Sequence, residues 1–403
     1  MGGLSTCIDV VGTSLVDGQD EIYLLQSFGA SKGEATQHVV STAIAKGSSA
    51  VLGMMKGAGL LGILPGMMCG LVIGGVPVQQ AALYQVLIAV SIALCTVGAS
   101  LFISYSGVWA AFEPLEVFVP RVFVRSQKRG LLSVLLWFWS TLSGGMDQAA
   151  LTQPSIGLSI HDDLIVDRDV DQFLTFNALE ESSTDAPTVF EVSGFALNDF
   201  SDSSAHQLLS DSLTIRLGEI WTVDGTYRST RTEYLRAFAG LRSDFHGNLT
   251  LDGVSWSDVN PKGSDVAEWR KLVLFLPRER PRLGGTPLQF MKRTAAFESW
   301  PKSSAYWGED PARKLIHDQS DYLQQWGMSL EILHREWDLL SDEESYLVLV
   351  ATALASRPRM LLFDEPTGLS AGHRDAVDQS FRDYASQQLG SVLLIPRIVS
   401  YKD

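Results

Sequence analysis

Cysteine is scarce in this chain. Three residues of 403, Cys7, Cys69 and Cys95, fit no disulfide or metal-ligand spacing, which excludes a disulfide-stapled scaffold and points to a reducing compartment. Positive charge is also short. Lysine and arginine number 31 against 46 aspartates and glutamates, a formal net charge of −15. A nucleic-acid partner held on a basic face is therefore not expected. No basic run followed by an apolar core opens the chain, so no cleavable leader is expected. Met1 to Thr6 matches the short myristoylation pattern, which is brief enough to arise by chance. What the chain does have is apolar bulk. The 46% apolar content is high for a wholly soluble protein and directs attention to membrane spans.

From Ser48 to Val76 only Lys56 is charged, and a second apolar run extends from about Ala82 to Ser104. Each is long enough for a bilayer crossing, which takes about 20 apolar residues. The connection, GGVPVQQ, is uncharged, whereas Lys32, Lys46, Arg121, Arg125, Lys128 and Arg129 lie outside the pair. The positive-inside rule then puts both ends of the membrane hairpin in the cytoplasm. A buried helical hairpin in a soluble protein is the alternative. Lys56, near the membrane entry, is expected to snorkel to the cytoplasmic face. Residues 21–46 read as two amphipathic helical stretches divided by a turn at Gly29-Ala30-Ser31, lying on a membrane surface or on a partner. The apolar run at 131–139 is too short to span, and residues 161–173 and 179–188 are acidic and turn-rich.

From Thr188 onward the pattern becomes α/β. Strands are expected in VFEVSGFAL, LTIRLGEIWTV, LTLDGVSW, KLVLFLP and SVLLI, with a helix over Glu233–Leu241 and a mostly helical region at about 287–339. The most structured signal is LLSDEESYLVLVATALASRPRMLLFDEPTGLSA, residues 339–371. Ser341 and Glu344 form an S-x-x-E capping box, and Leu347, Val350, Ala351 and Leu354 share one helical face. Met360 to Phe363 then reads as a buried strand with Asp364-Glu365-Pro366 at its carboxyl end, the end at which α/β sheets bind ligands.

That string resembles the signature helix and Walker B strand of ABC-transporter ATPases. A second resemblance lies near the start: SFGASKGEA, GLLGILPGMMCGLVIGG and AALYQVLIAV look like the C-terminal part of the FetB (YbbM) permease family, over roughly residues 1–105. The earlier helices of that family have no counterpart here; either partner chains supply them or this is a truncated gene product. The FetA (YbbL) ATPase, which pairs with that permease, is the matching relative for the second half. The resemblances imply an α-helical membrane hairpin joined to an α/β P-loop ABC ATPase domain. Residues 1–110 would form the partial permease, 111–187 an acidic linker and 188–403 the nucleotide-binding domain.

A P-loop, G-x-x-x-x-G-K-[ST], curls backbone amides round phosphates while its lysine reaches them and its hydroxyl meets Mg²⁺. The aligned residues are Gly225, Thr226, Tyr227, Arg228, Ser229, Thr230, Arg231 and Thr232, with YLRAFAGL after them matching the family's LLRAIAGL. The resemblance gives nucleotide contacts to Gly225, Ser229, Thr230, Arg231, Thr232 and Asp364, and Mg²⁺ contacts to Thr232 and Asp364. Glu365 takes the catalytic role, orienting or deprotonating the attacking water. Departures are several. Thr230 replaces a glycine, Arg231 the lysine, Arg278 a glutamine and Ala371 an aspartate, and Arg397 stands at the switch histidine. The signature LSGGQ has become Leu340-Ser341-Asp342-Glu343-Glu344, whose carboxylates would repel the phosphate that this helix end meets in the opposite subunit. Asn248-Leu249-Thr250 is a glycosylation pattern without consequence in a cytoplasmic domain. The implied function is ATP-dependent transport of a metal ion or small solute, with a second ATPase domain and a further permease subunit as partners, integral to a membrane. A catalytically impaired docking or regulatory subunit, and a decaying or mis-spliced gene product, are the other readings.

Overall fold

The computed structural model describes residues 11–57, 65–112, 117–118, 174–180, 186–197, 206–207, 212–225, 228–259, 265–279, 282–301, 306–308, 310–364, 368–387 and 389–395. The apolar run at 131–139, the acidic run at 161–173, the myristoylation pattern, Glu365 and Arg397 lie outside them.

Two sheets organise the second half. The first has the order β1 (Leu174–Glu180), β5 (Ile220–Gly225), β10 (Ser391–Ile395), β9 (Met360–Asp364), β8 (Val273–Leu276). Its four central strands are parallel, and β1 runs antiparallel to β5 at the edge. β1 falls in the segment read as linker, so that stretch contributes an edge strand. All four residues of β8 and all five of β9 are buried, as a parallel sheet covered on both faces requires. The second sheet is antiparallel: β3 (His206–Gln207), β2 (Thr188–Leu197), β6 (Phe245–Leu251) and β7 (Val254–Ser255), with β4 (Ser212–Arg216) also on β2. Helix α5 (Arg228–Phe238) lies between the sheets, where Phe238 meets Phe190 and Phe195 edge-on.

The helical side carries α6 (Asp265–Leu272), α7 (Pro287–Ala295), α8 (Pro311–Gln325), α9 (Asp342–Ala355) and α10 (Ala371–Ser386). The expected capping box opens α9: Ser341 Oγ accepts from Glu344 N–H, and Glu344 accepts from Ser341 N–H. Every residue from Ser345 to Ala355 is buried, so this helix is the axis of the larger core and not a one-sided surface helix.

The first half begins with α1 (Gln19–Ser27) and α2 (Lys32–Gly57), divided at Gly29 as expected. Gly29 (φ +87°) ends α1 in a Schellman turn, with Ala30 N–H donating to Leu25 O and Gly29 N–H to Gln26 O. Ser31 and Glu34 then cap α2 reciprocally. The partner of this segment is the chain's own second half. Phe28 packs edge-on to Phe290, Trp300 Nε1–H donates to Phe28 O, and Ser299 Oγ–H to Gly29 O. Arg293 reaches Glu21 and the Glu34 carbonyl, while Glu34 Oε1 accepts from Glu298 N–H.

Of the two expected spans, the run Ser48–Val76 holds the end of α2, described to Gly57, and α3 (Pro65–Ile73), with residues 58–64 outside the described residues. Among the described residues one helix, α4 (Val78–Ala111), is long and apolar enough to cross a membrane, with a mean hydropathy of 2.5 in its most apolar window.

The α1–α2 turn offers a direct check. A Cβ on Gly29 would stand 2.6 Å from Ser299 Oγ and 2.9 Å from Lys271 Cβ, at a φ that side chains rarely adopt. Gly29→Val is expected to undock α1, lowering the thermal midpoint by several degrees and exposing residues 17–31 to limited proteolysis, a loss of about 1–3 kcal/mol. A wild-type digestion pattern would contradict the docking.

Candidate functional site

The carboxyl ends of β5, β8, β9 and β10 lie along one edge of the parallel sheet, and they bring together residues far apart in the chain. Asp364 ends β9 and is 1% exposed. Thr232, in the second turn of α5, donates from Oγ1 to Asp364 Oδ2 at 2.7 Å. Two residues 132 positions apart are thus in direct contact. Tyr346, on α9, places its hydroxyl 3.0 Å from the Pro277 carbonyl and 3.1 Å from that of Asp364. It ties the carboxyl ends of β8 and β9 to the buried helix.

The phosphate side of the pattern is arranged differently. Gly225 ends β5 opposite Leu174. Helix α5 already begins at Arg228, three residues before the cation, so Ser229 and Thr230 have helical backbone. A Cβ at position 230 disfavours the positive φ that a wide loop takes up with glycine, and helical φ is the alternative. Arg231 is 1% exposed, and its guanidinium turns back along β5: Nη1 is 3.4 Å from the Val223 carbonyl and 4.0 Å from Asp224 Oδ1. The guanidinium thus faces oxygens of the protein itself.

The signature end has a comparable arrangement. Glu343 Oε1 accepts from Ser370 N–H at 2.8 Å and lies 2.8 Å from His373 Nδ1, so the carboxylate is anchored to the start of α10. These bonds, the Ser370 amide foremost and His373 next, hold the Glu343 carboxyl down at about 2. Asp342 beside it is exposed, as is Ala371.

A cavity of about 390 Å³ opens beside Thr232 and Asp364. Glu233, Arg236, Arg278 and Glu279 line it from the second half, and Asp20, Tyr23 and Ser27 from α1. Sequence reasoning missed Glu233, Arg236, Glu279, Tyr23 and His373. Only tertiary packing gives them neighbours in the site; Arg278 was singled out solely as a departure.

Residues 208–368 match the family model of the ABC transporter domain, and residues 1–112 match UPF0014, an uncharacterised protein family. The chain joins a UPF0014 permease-like region to an ABC transporter ATP-binding domain. Over 196 residues it is 26% identical to the ribose import ATP-binding protein RbsA 1 of Rhizobium meliloti (strain 1021), covering 47% of this chain and 37% of that protein. Over 248 residues it is 25% identical to the ribose import ATP-binding protein RbsA of Jannaschia sp. (strain CCS1), covering 60% and 44%. The chain thus spans less than half the length of these curated relatives. Among solved structures, the ATP-binding cassette MJ0796, described as dimeric and bound to ADP and Pi, aligns with a TM-score of 0.41 at 17% identity, covering 52% of this chain and 88% of that one. CbiO1 from Clostridium perfringens aligns with a TM-score of 0.39 at 17% identity, covering 52% and 79%. An ATP-binding domain of this type accounts for a polar site at the carboxyl edge of a parallel sheet.

The Glu343 anchor in the ABC transporter domain has a pH signature. A carboxyl held below its ordinary 4.5 contributes stability that is complete above about 4.5 and is lost as pH falls toward about 2. Thermal midpoints of the wild type and Glu343→Gln should therefore differ most above pH 4.5 and converge as pH approaches 2. A gap that is constant with pH would contradict the anchor.

Proposed function

We propose that this chain is a component of an ATP-dependent membrane transporter of FetA/FetB type, its cargo a metal ion or small solute. The observation that carries this reading is the Thr232–Asp364 contact in a chain whose apolar helix α4 and docking segment α1–α2 share one structure with the ATP-binding domain. Helix α4 would cross the bilayer, with the ATPase domain on the cytoplasmic side. A second ATPase domain, and a further permease subunit, would complete the assembly.

The oxygen donor set of Thr232 and Asp364 fits Mg²⁺, a hard cation that prefers carboxylate and hydroxyl oxygens. Bound there with the nucleotide, the metal would neutralise phosphate charge. Asp364 would hold it directly or through water, and Thr232 would present its hydroxyl oxygen. Glu365, next to Asp364 in sequence, would orient or deprotonate the attacking water. Gly225, Ser229 and Thr230 would offer backbone amides from the strand end and the α5 N-terminus, a site suited to anions.

A second reading, a catalytically impaired docking or regulatory subunit, is favoured by two observations. Arg231 is turned onto Val223 and Asp224, and the acidic signature end is tied to α10. Both weaken the grip on phosphate while leaving the fold intact.

The full-length chain in detergent is expected to bind Mg-ATP weakly, with Asp364→Asn removing the Mg²⁺-dependent part, as read by calorimetric titration with and without chelator. Equal binding in chelator would contradict the metal assignment. Robust hydrolysis abolished by Glu365→Gln would overturn the impaired reading, and undetectable binding would overturn the transporter reading.

A further inference from the structure

The N-terminal helix is not only docked on the second half; it reaches the nucleotide site. Tyr23 of α1 lines the same cavity as Thr232 and Asp364. The Arg236 guanidinium lies over its ring, 5.7 Å from the centroid, inside the range of a cation–π contact. Arg236 Nη1 also holds Glu233 Oε1 at 2.9 Å, and Glu233 Oε2 holds Arg242, which grips Asp244 with both forks. Glu233 directly follows Thr232 on α5. At its other end Tyr23 donates its hydroxyl to the Phe118 carbonyl and meets the Phe118 ring edge-on.

We propose that Tyr23 is a positioning residue of the nucleotide site, acting through Arg236 and Glu233 to fix the turn of α5 that presents Thr232 to Asp364. The proposal rests on the nucleotide reading above. It adds that the ring of Tyr23, and not its hydroxyl, does the positioning. The second half then depends for its nucleotide affinity on a helix from the permease-like region.

The full-length chain separates the two roles. Tyr23→Phe keeps the ring over Arg236 and removes the bond to Phe118; Tyr23→Leu removes the ring. In the nucleotide-free chain, hydrogen exchange across residues 228–238 should rise in Tyr23→Leu and stay at the wild-type level in Tyr23→Phe. Mg-ATP affinity should fall about threefold to tenfold in Tyr23→Leu, the range of a cation–π contact, and change less than about twofold in Tyr23→Phe. In an Arg236→Gln background, Tyr23→Leu should produce no further loss. Arg236→Gln alone, which leaves α1 untouched, should reproduce the Tyr23→Leu loss and keeps the test valid if Tyr23→Leu fails to fold. Unchanged exchange and affinity in Tyr23→Leu or Arg236→Gln would overturn the proposal, as would losses that simply add in the double variant. A wild-type chain that shows the exchange pattern but binds no Mg-ATP would overturn the nucleotide reading, and with it the assignment of this contact to that site.

Discussion

The hydrogen bond between Thr232 and Asp364 is the constraint on which the site depends. It fixes α5 against the end of β9, across a sheet in which β10 separates β9 from β5. Both groups are hard oxygen donors, and Asp364 is nearly sealed from water. A buried carboxylate is costly to leave unpaired and well suited to a cation. The surrounding fold keeps it in place: β8 and β9 are buried on both faces, and Tyr346 links their ends to α9.

Two charged side chains of the same domain face the protein's own groups. Arg231 has joined the interior beside Val223, and the signature carboxylate Glu343 has joined the start of α10. The bonds from Ser370 and His373 favour the ionised form of Glu343.

Much of this was legible beforehand. The capping box at Ser341 and Glu344, the buried strand before Asp364 and the glycine turn at Gly29 all follow from local spacing. Less legible was the destination of α1–α2. Its amphipathic pattern says that one face is covered, and Phe28, Glu34 and Trp300 find one another only through contacts more than 250 residues apart. The direction of the Arg231 guanidinium was equally hidden, since a lysine-to-arginine change preserves charge and says nothing about where the longer fork is satisfied.

We propose that Thr232 and Asp364 keep the metal-binding half of a nucleotide site, while Arg231 no longer serves its phosphate half. Restoring the latter alone, by the double substitution Thr230→Gly and Arg231→Lys in the full-length chain, tests it most directly through a calorimetric titration with Mg-ATP. Affinity is expected to rise at least about tenfold, a difference of about 1.4 kcal/mol, and to lose that gain when Asp364→Asn is added. Affinity unchanged by the double substitution, or a gain that survives Asp364→Asn, would contradict it.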